Sequence, residues 1–163
     1  MILKGLDIIF LALLDERISS FKIPRQKVSA MQVLTLYLST AVVFLALDIV
    51  MLKRVLYPLF SSNLGDWLLE DPRMGPAAIF YLFYIGGVLF FASWPAFVTG
   101  NPTQALMAGA LLGVLAYGTC EFTNFATLRA WSPTMVMIDV TWGAALTGIS
   151  AWAGVVITRT VFG

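Results

Sequence analysis

Residues 104–128 read QALMAGALLGVLAYGTCEFTNFATL, a run in which Glu121 is the single charged side chain. A bilayer hydrocarbon core of about 30 Å is crossed by about 20 apolar residues in a helix, so this run is long enough to span. Three further runs meet the same test at 31–52, 76–98 and 134–157. The composition agrees: 60% of the residues are hydrophobic and 12% charged, the mean hydropathy is +0.88, and an average soluble domain carries roughly 25% charged residues. The expected fold is all-α, an integral membrane four-helix bundle with the lipid bilayer as its solvent.

Each run has a physical stop. Lys53 and Arg54 follow the first; Asp71, Pro72, Arg73 and Gly75 precede the second; Gly100, Asn101 and Pro102 turn the chain into the third; residues 129–133 make the last turn. Pro76, Pro102 and Pro133 fall at or just before helix starts, where a missing amide proton costs nothing. The domains are then an extension over 1–30 and a membrane unit over 31–163. In the extension, Ile2, Leu6, Ile9 and Leu13 form an apolar stripe interrupted by Lys4 and Asp7, too short to cross and suited to an amphipathic helix in the interface. A charge inside the stripe makes it a poor signal peptide, and Met31 is an alternative start. Residues 53–75 mix Leu56, Tyr57, Phe60, Trp67 and Leu68 with charges, the pattern of a loop lying on the membrane surface. No repeat or low-complexity tract is visible.

Absent residue types remove whole mechanisms. With no histidine there is no Ser-His-Asp relay, no imidazole zinc site and no His-ligated haem. The lone Cys120 excludes an internal disulfide and a thiolate metal cage, and reads as an inert packing residue. The net charge of +1 gives no sign of a nucleic-acid partner, and no cofactor motif is present.

Asp48, Glu121 and Asp139 sit inside the apolar runs, where a carboxylate needs a proton, a partner or water. Consecutive spans run in opposite directions, so the end of the first, the end of the third and the start of the fourth share one membrane face. At 1.5 Å per residue the three acids lie at depths of roughly 6 to 11 Å. On the fourth span Asp139, Gly143, Ser150 and Gly154 share a face; on the third, Gly109, Gly113, Tyr117, Cys120 and Asn124 do, with Glu121 beside them. On the first, Tyr37, Ala41, Phe44 and Asp48 line up. The expectation is a shallow polar pocket formed by Asp48, Glu121, Thr123, Asn124, Asp139 and Trp142. The competing expectation is structural: Arg129, Arg73 and Lys53 lie toward the same face and could pair with the acids. Trp67, Trp131 and Trp142 are the residues an aromatic belt requires.

The segment Tyr117-Gly118-Thr119-Cys120-Glu121-Phe122-Thr123-Asn124-Phe125-Ala126-Thr127-Leu128, then Trp131, then Asp139-Val140-Thr141-Trp142-Gly143, with Ala46-Leu47-Asp48 in the first span, resembles a family of small bacterial predicted membrane proteins. It is the domain of unknown function numbered twenty-one seventy-seven, and the likeness covers about 31–157. Where that family carries Tyr-Asp before its Thr-Asn pair, this chain has Cys120-Glu121, a carboxylate longer by one methylene. The resemblance implies the four-span fold and the acid positions and brings no assigned activity.

Three functions remain open on the residues. An oxygen-only carboxylate set suits protons, a hard cation or a small polar solute, bound or moved, with closely spaced carboxyls unable to ionise together cheaply; four spans suffice for transport if the protein forms a homo-oligomer. Alternatively the chain is an accessory subunit of a larger membrane complex. A lipid-modifying enzyme is the third, with no nucleophile to accompany its acids. Lys4, Arg17, Lys22, Arg25, Lys27 and Arg159 on the terminal side outnumber Lys53, Arg54, Arg73 and Arg129, which points to an inner or plasma membrane with cytoplasmic termini, an organelle membrane being the alternative.

Overall fold

The computed structural model describes residues 29–69 and 71–162. The interfacial helix expected within residues 1–30 lies outside the described residues. Four helices long and apolar enough to cross a membrane make up the rest: α1 (Ala30–Trp67), α2 (Met74–Thr99), α3 (Pro102–Thr127) and α4 (Pro133–Phe162). The chain is a multi-pass membrane protein of the all-α class, and each expected span has its helix.

α1 opens on a reciprocal cap. Ser29 Oγ accepts from the Gln32 amide at 3.2 Å while the Ser29 amide donates to Gln32 Oε1 at 2.9 Å, satisfying two donors that a helix start leaves orphaned. The other end differs from expectation, because Lys53 and Arg54 do not stop the helix. It continues through a π-helical turn (Leu52–Leu56) into a further α-helical stretch (Tyr57–Leu64). Charged side chains reach water without disturbing backbone hydrogen bonds, so they end an apolar run but not a helix. What ends it is Gly65, whose φ of 52° is costly for any residue with a Cβ. At 1.5 Å per residue α1 is about 57 Å long, well beyond a hydrocarbon core. Its last part folds back instead of lying apart: Leu56 is buried, and Phe60 meets Trp131 edge to face with ring centroids 5.3 Å apart.

The π turn has a local cause that recurs in α2. There Leu89–Ser93 is π-helical and Pro95 follows Trp94, as Pro58 follows Tyr57 in α1. Proline lacks an amide proton and its ring crowds the carbonyl four residues earlier. Widening the preceding turn by one residue relieves that crowding, and the residue before each proline bonds five back, Tyr57 to Leu52 and Trp94 to Leu89. α2 ends at Gly100, which is left-handed at φ 72° and lets the chain turn at once into Pro102 at the start of α3.

Neighbouring helices are antiparallel, as the cross-contacts show: Thr40 of α1 packs on Gly154 of α4, Asp48 of α1 reaches Trp142 of α4, and Gly113 of α3 meets Gly143 of α4. α4 is the most enclosed of the four. The α3–α4 seam is glycine-built. A Cβ at Gly113 would collide with the Gly143 carbonyl, one at Gly109 would lie 2.9 Å from the Thr147 carbonyl oxygen, and one at Gly148 would lie 2.8 Å from that of Leu106. The interior has two apolar layers. One gathers Leu36, Val88, Ala92, Ala105, Ala151 and Val155 toward the terminal end; the other gathers Phe44, Ile85 and Leu146, flanked by Tyr81, Tyr84, Tyr117 and Trp142.

Candidate functional site

The three acids arrive from three helices at the end of the bundle away from Ser29 and Phe162. Asp48 comes from α1, where Leu36, Thr40, Phe44 and Asp48 recur every four residues and form its buried face. Asp48 is only 6% exposed and receives two hydrogen bonds: the Tyr81 hydroxyl donates to Oδ2 at 2.6 Å, and the Trp142 indole N–H donates to Oδ1 at 3.5 Å. An O–H···O contact that short is the mark of a charge-assisted bond. Glu121, from α3, is 2% exposed and accepts from the Trp131 indole N–H at 2.7 Å. The turn after α3, with the Leu128 amide bonded to the Asn124 carbonyl at 2.7 Å and the Trp131 amide to that of Leu128 at 3.2 Å, brings Trp131 back over its own helix. Asp139, near the start of α4, is half-buried; its carboxyl stands at hydrogen-bonding range of Glu121 and within charge range of Asp48. Two carboxyls share a hydrogen bond only when one of them carries a proton.

Two cavities adjoin this layer. The first, about 300 Å³, is lined by Asp48 and Asp139 together with the rings of Tyr57, Phe60, Tyr81 and Tyr117, and is closed over by Leu52, Leu56 and Leu68 from the kinked end of α1 and beyond. The second, about 280 Å³, lies on the other side of Tyr81, Tyr117 and Asp139 and is bounded by Ala77, Phe80, Ala116 and Cys120. Tyr117, on the wall of both, is held by the glycine seam: a Cβ at Gly143 would occupy its ring.

Of the residues singled out in the sequence, Asp48, Glu121, Asp139 and Trp142 come together. Thr123 and Asn124 do not join them by hydrogen bonds. The Thr123 hydroxyl donates to the Thr119 carbonyl at 2.6 Å and the Asn124 amide to Cys120 Sγ at 3.4 Å, all on α3. Arg129, Arg73 and Lys53 are exposed, and among the described residues none forms an ion pair with the three acids. Cys120 is itself exposed on α3 rather than buried as a packing residue. Trp67 is 80% exposed, as a belt residue is, whereas Trp131 and Trp142 donate to carboxylates. Tyr81, Tyr117 and Trp131 are the site residues that sequence reasoning missed. A signal existed for the first: the α2 run carries no acid, yet Tyr81 lies seven residues into the helix, at the depth of the acids on its neighbours.

No curated protein and no solved structure matches the chain. A family model described as a predicted membrane protein, DUF2177, matches residues 33–156, a stretch that contains all four helices' cores and every carboxylate of the layer. The chain belongs to that family.

Proposed function

We propose that the protein binds a small organic cation in the carboxylate-lined cavity, in exchange for the proton shared between Glu121 and Asp139. The observation that carries this is the lining of the first cavity, with two carboxylates among four aromatic rings and no cation of the described chain paired to them. Rings present a negative face to an ammonium group, and a desolvated cation gains most from such a contact. The carboxylates supply the compensating charge that a cation inside a low-dielectric bundle requires. A volume of about 300 Å³ is at the small end for ligand pockets, which suits a ligand of few heavy atoms. Among the described residues no group of three metal-ligating side chains converges, which favours an organic ammonium over a hard metal ion. The cavity lies within about two helical turns of the membrane surface, so the cation can be a free solute or the headgroup of a lipid, and the chemistry that recognises either is the same.

Binding is measured on the protein in nanodiscs by titration calorimetry and by the fluorescence of Trp131 and Trp142, both at the carboxylates. Choline and tetramethylammonium are expected to saturate, each with release of a proton to the buffer. Sodium, magnesium and neutral glycerol should leave the signal flat. Asp48→Asn and Asp139→Asn should each weaken the organic cations at least tenfold, about 1.4 kcal/mol. Equal responses to choline and glycerol, or full affinity in both variants, would sink the reading.

A further inference from the structure

From the carboxylate layer to the opposite end of the bundle, α4 presents one unbroken buried face: Asp139, Gly143, Thr147, Ser150, Gly154 and Thr158, at intervals of three or four residues. It covers roughly 28 Å at 1.5 Å per residue, the thickness of a hydrocarbon core. Thr147, Ser150 and Thr158 on this face are fully buried, as are Thr40 of α1 and Ser93 of α2 opposite them. The Tyr84 hydroxyl meets that of Thr147 at 2.9 Å, just below the acid layer. Thr40 packs on Gly154, and Ser93 and Ser150 adjoin Ala92 and Ala151 of one interior cluster, so all three belong to the middle of the bundle. Beyond them Ser39 Oγ reaches the Gly154 carbonyl at 3.4 Å, and Thr158 Oγ1 donates to the same carbonyl at 2.8 Å.

The three middle hydroxyls, on Thr40, Ser93 and Ser150, have no hydrogen-bond partner. A helical threonine or serine has a ready way to satisfy itself by donating to the carbonyl four residues earlier. Thr119, Thr123, Thr127 and Thr158 all do so. Thr40, Ser93 and Ser150 leave their hydroxyls turned into the interior, where an unpartnered polar group is costly and where water with polar neighbours is the usual remedy.

We propose that this buried hydroxyl face is a water-bridged proton path joining the carboxylate layer to the end of the bundle that bears Thr158 and Arg159. The inference rests on the cation-for-proton exchange proposed above and gives the displaced proton a route. A proton leaving a carboxyl of the layer is accepted by the Tyr84–Thr147 pair or the water beside it; each oxygen then takes a proton from one side and releases one to the other. Only O–H bonds break and form along the path, and the proton ends on solvent water at the far end. Among the described residues the face carries no titratable group between Asp139 and Arg159, so nothing along it holds the proton.

Purified protein is reconstituted in liposomes that enclose a pH-sensitive dye, and proton entry is driven by a valinomycin-set potassium potential with choline on the opposite side. Wild type should acidify the lumen at least tenfold faster than protein-free vesicles. Thr40→Val with Ser150→Ala should remove at least nine-tenths of that rate while keeping choline binding in nanodiscs, and Ser150→Thr should keep it. Thr160→Ala, whose exposed hydroxyl bonds only to the Ile157 carbonyl, should match wild type. If the double variant does not insert, Ser93→Ala gives the same reading with a several-fold loss. Undiminished flux in the hydroxyl variants overturns the path, as does absent flux in a wild type that binds choline. Flux through a wild type that binds no choline, lost in the hydroxyl variants, keeps the path and discards the organic cation.

Discussion

α3 and α4 meet twice, and the two meetings are opposites. Along Gly109, Gly113, Gly143 and Gly148 the backbones touch, and not even a methyl group fits between Gly113 and Gly143. One turn on, Tyr117 takes up the room over Gly143, and beyond it the space between helices holds carboxyls, rings and two cavities. In lipid there is little hydrophobic force to press helices together, so close packing between small residues does the holding. A tight seam beside an open layer means that the acids need not contribute to assembly. They are presented by a frame that is closed elsewhere. Their hydrogen bonds come from Tyr81, Trp142 and Trp131, which orient a carboxylate without cancelling its charge, as an arginine would.

The largest effect is expected where the seam is broken. Gly113→Ala should destabilise the protein by about 3 kcal/mol, the upper range for overpacking a well-packed interior, because its methyl must displace the Gly143 backbone. Gly86→Ala, where a Cβ meets nothing within 4 Å, should be near neutral. Unfolding in mixed micelles, followed by tryptophan fluorescence, compares the two. If they behave alike, the seam does not hold the bundle.

A smaller effect should follow at the open layer. Tyr81→Phe removes the donor to Asp48 Oδ2 and leaves a buried carboxylate short of a bond, a loss of about 2 kcal/mol for a bond to a charged group. Phe83→Leu, on the exposed side of the same helix, should change stability by well under half of that. The same unfolding assay measures both. A cost for Tyr81→Phe greater than for Gly113→Ala would place the main strength of the fold in the acid layer and reverse the comparison.

The smallest effect lies far from both. Ser29→Ala dissolves the reciprocal cap with Gln32 at the start of α1 and should cost about 1 kcal/mol. Amide hydrogen exchange should show faster opening confined to the first turn of α1, with the protection of Gly113 and Gly143 unchanged. Faster exchange at the seam as well would show that the entry to α1 and the α3–α4 clamp open together.

The positions of Asp48, Glu121 and Asp139 were legible because helix rise and alternating direction convert sequence position into depth. Their partners were not. Trp131 and Trp142 carry the signature of belt residues, and an indole N–H bound to water looks the same in sequence as one bound to a carboxylate. Thr123 and Asn124 sat within one turn of Glu121, but their side chains found bonds on their own helix first, a choice that spacing does not encode. The continuation of α1 past Lys53 and Arg54 was hidden because hydropathy marks where lipid ends and says nothing of where a helix does.

Hydrophobic length and the stops between runs determined by themselves that this chain crosses a membrane as four helices, since each span must satisfy its own backbone hydrogen bonds in lipid. The level of the acids followed from the same arithmetic. Tertiary structure alone decided what surrounds them: that α1 bends back at a π turn to cover the layer, that Tyr81 on a run without acids reaches Asp48, and that Tyr117 fills the space over Gly143. Depth is a one-dimensional property of a helical chain, whereas the azimuth at which two helices meet depends on side chains from both at once.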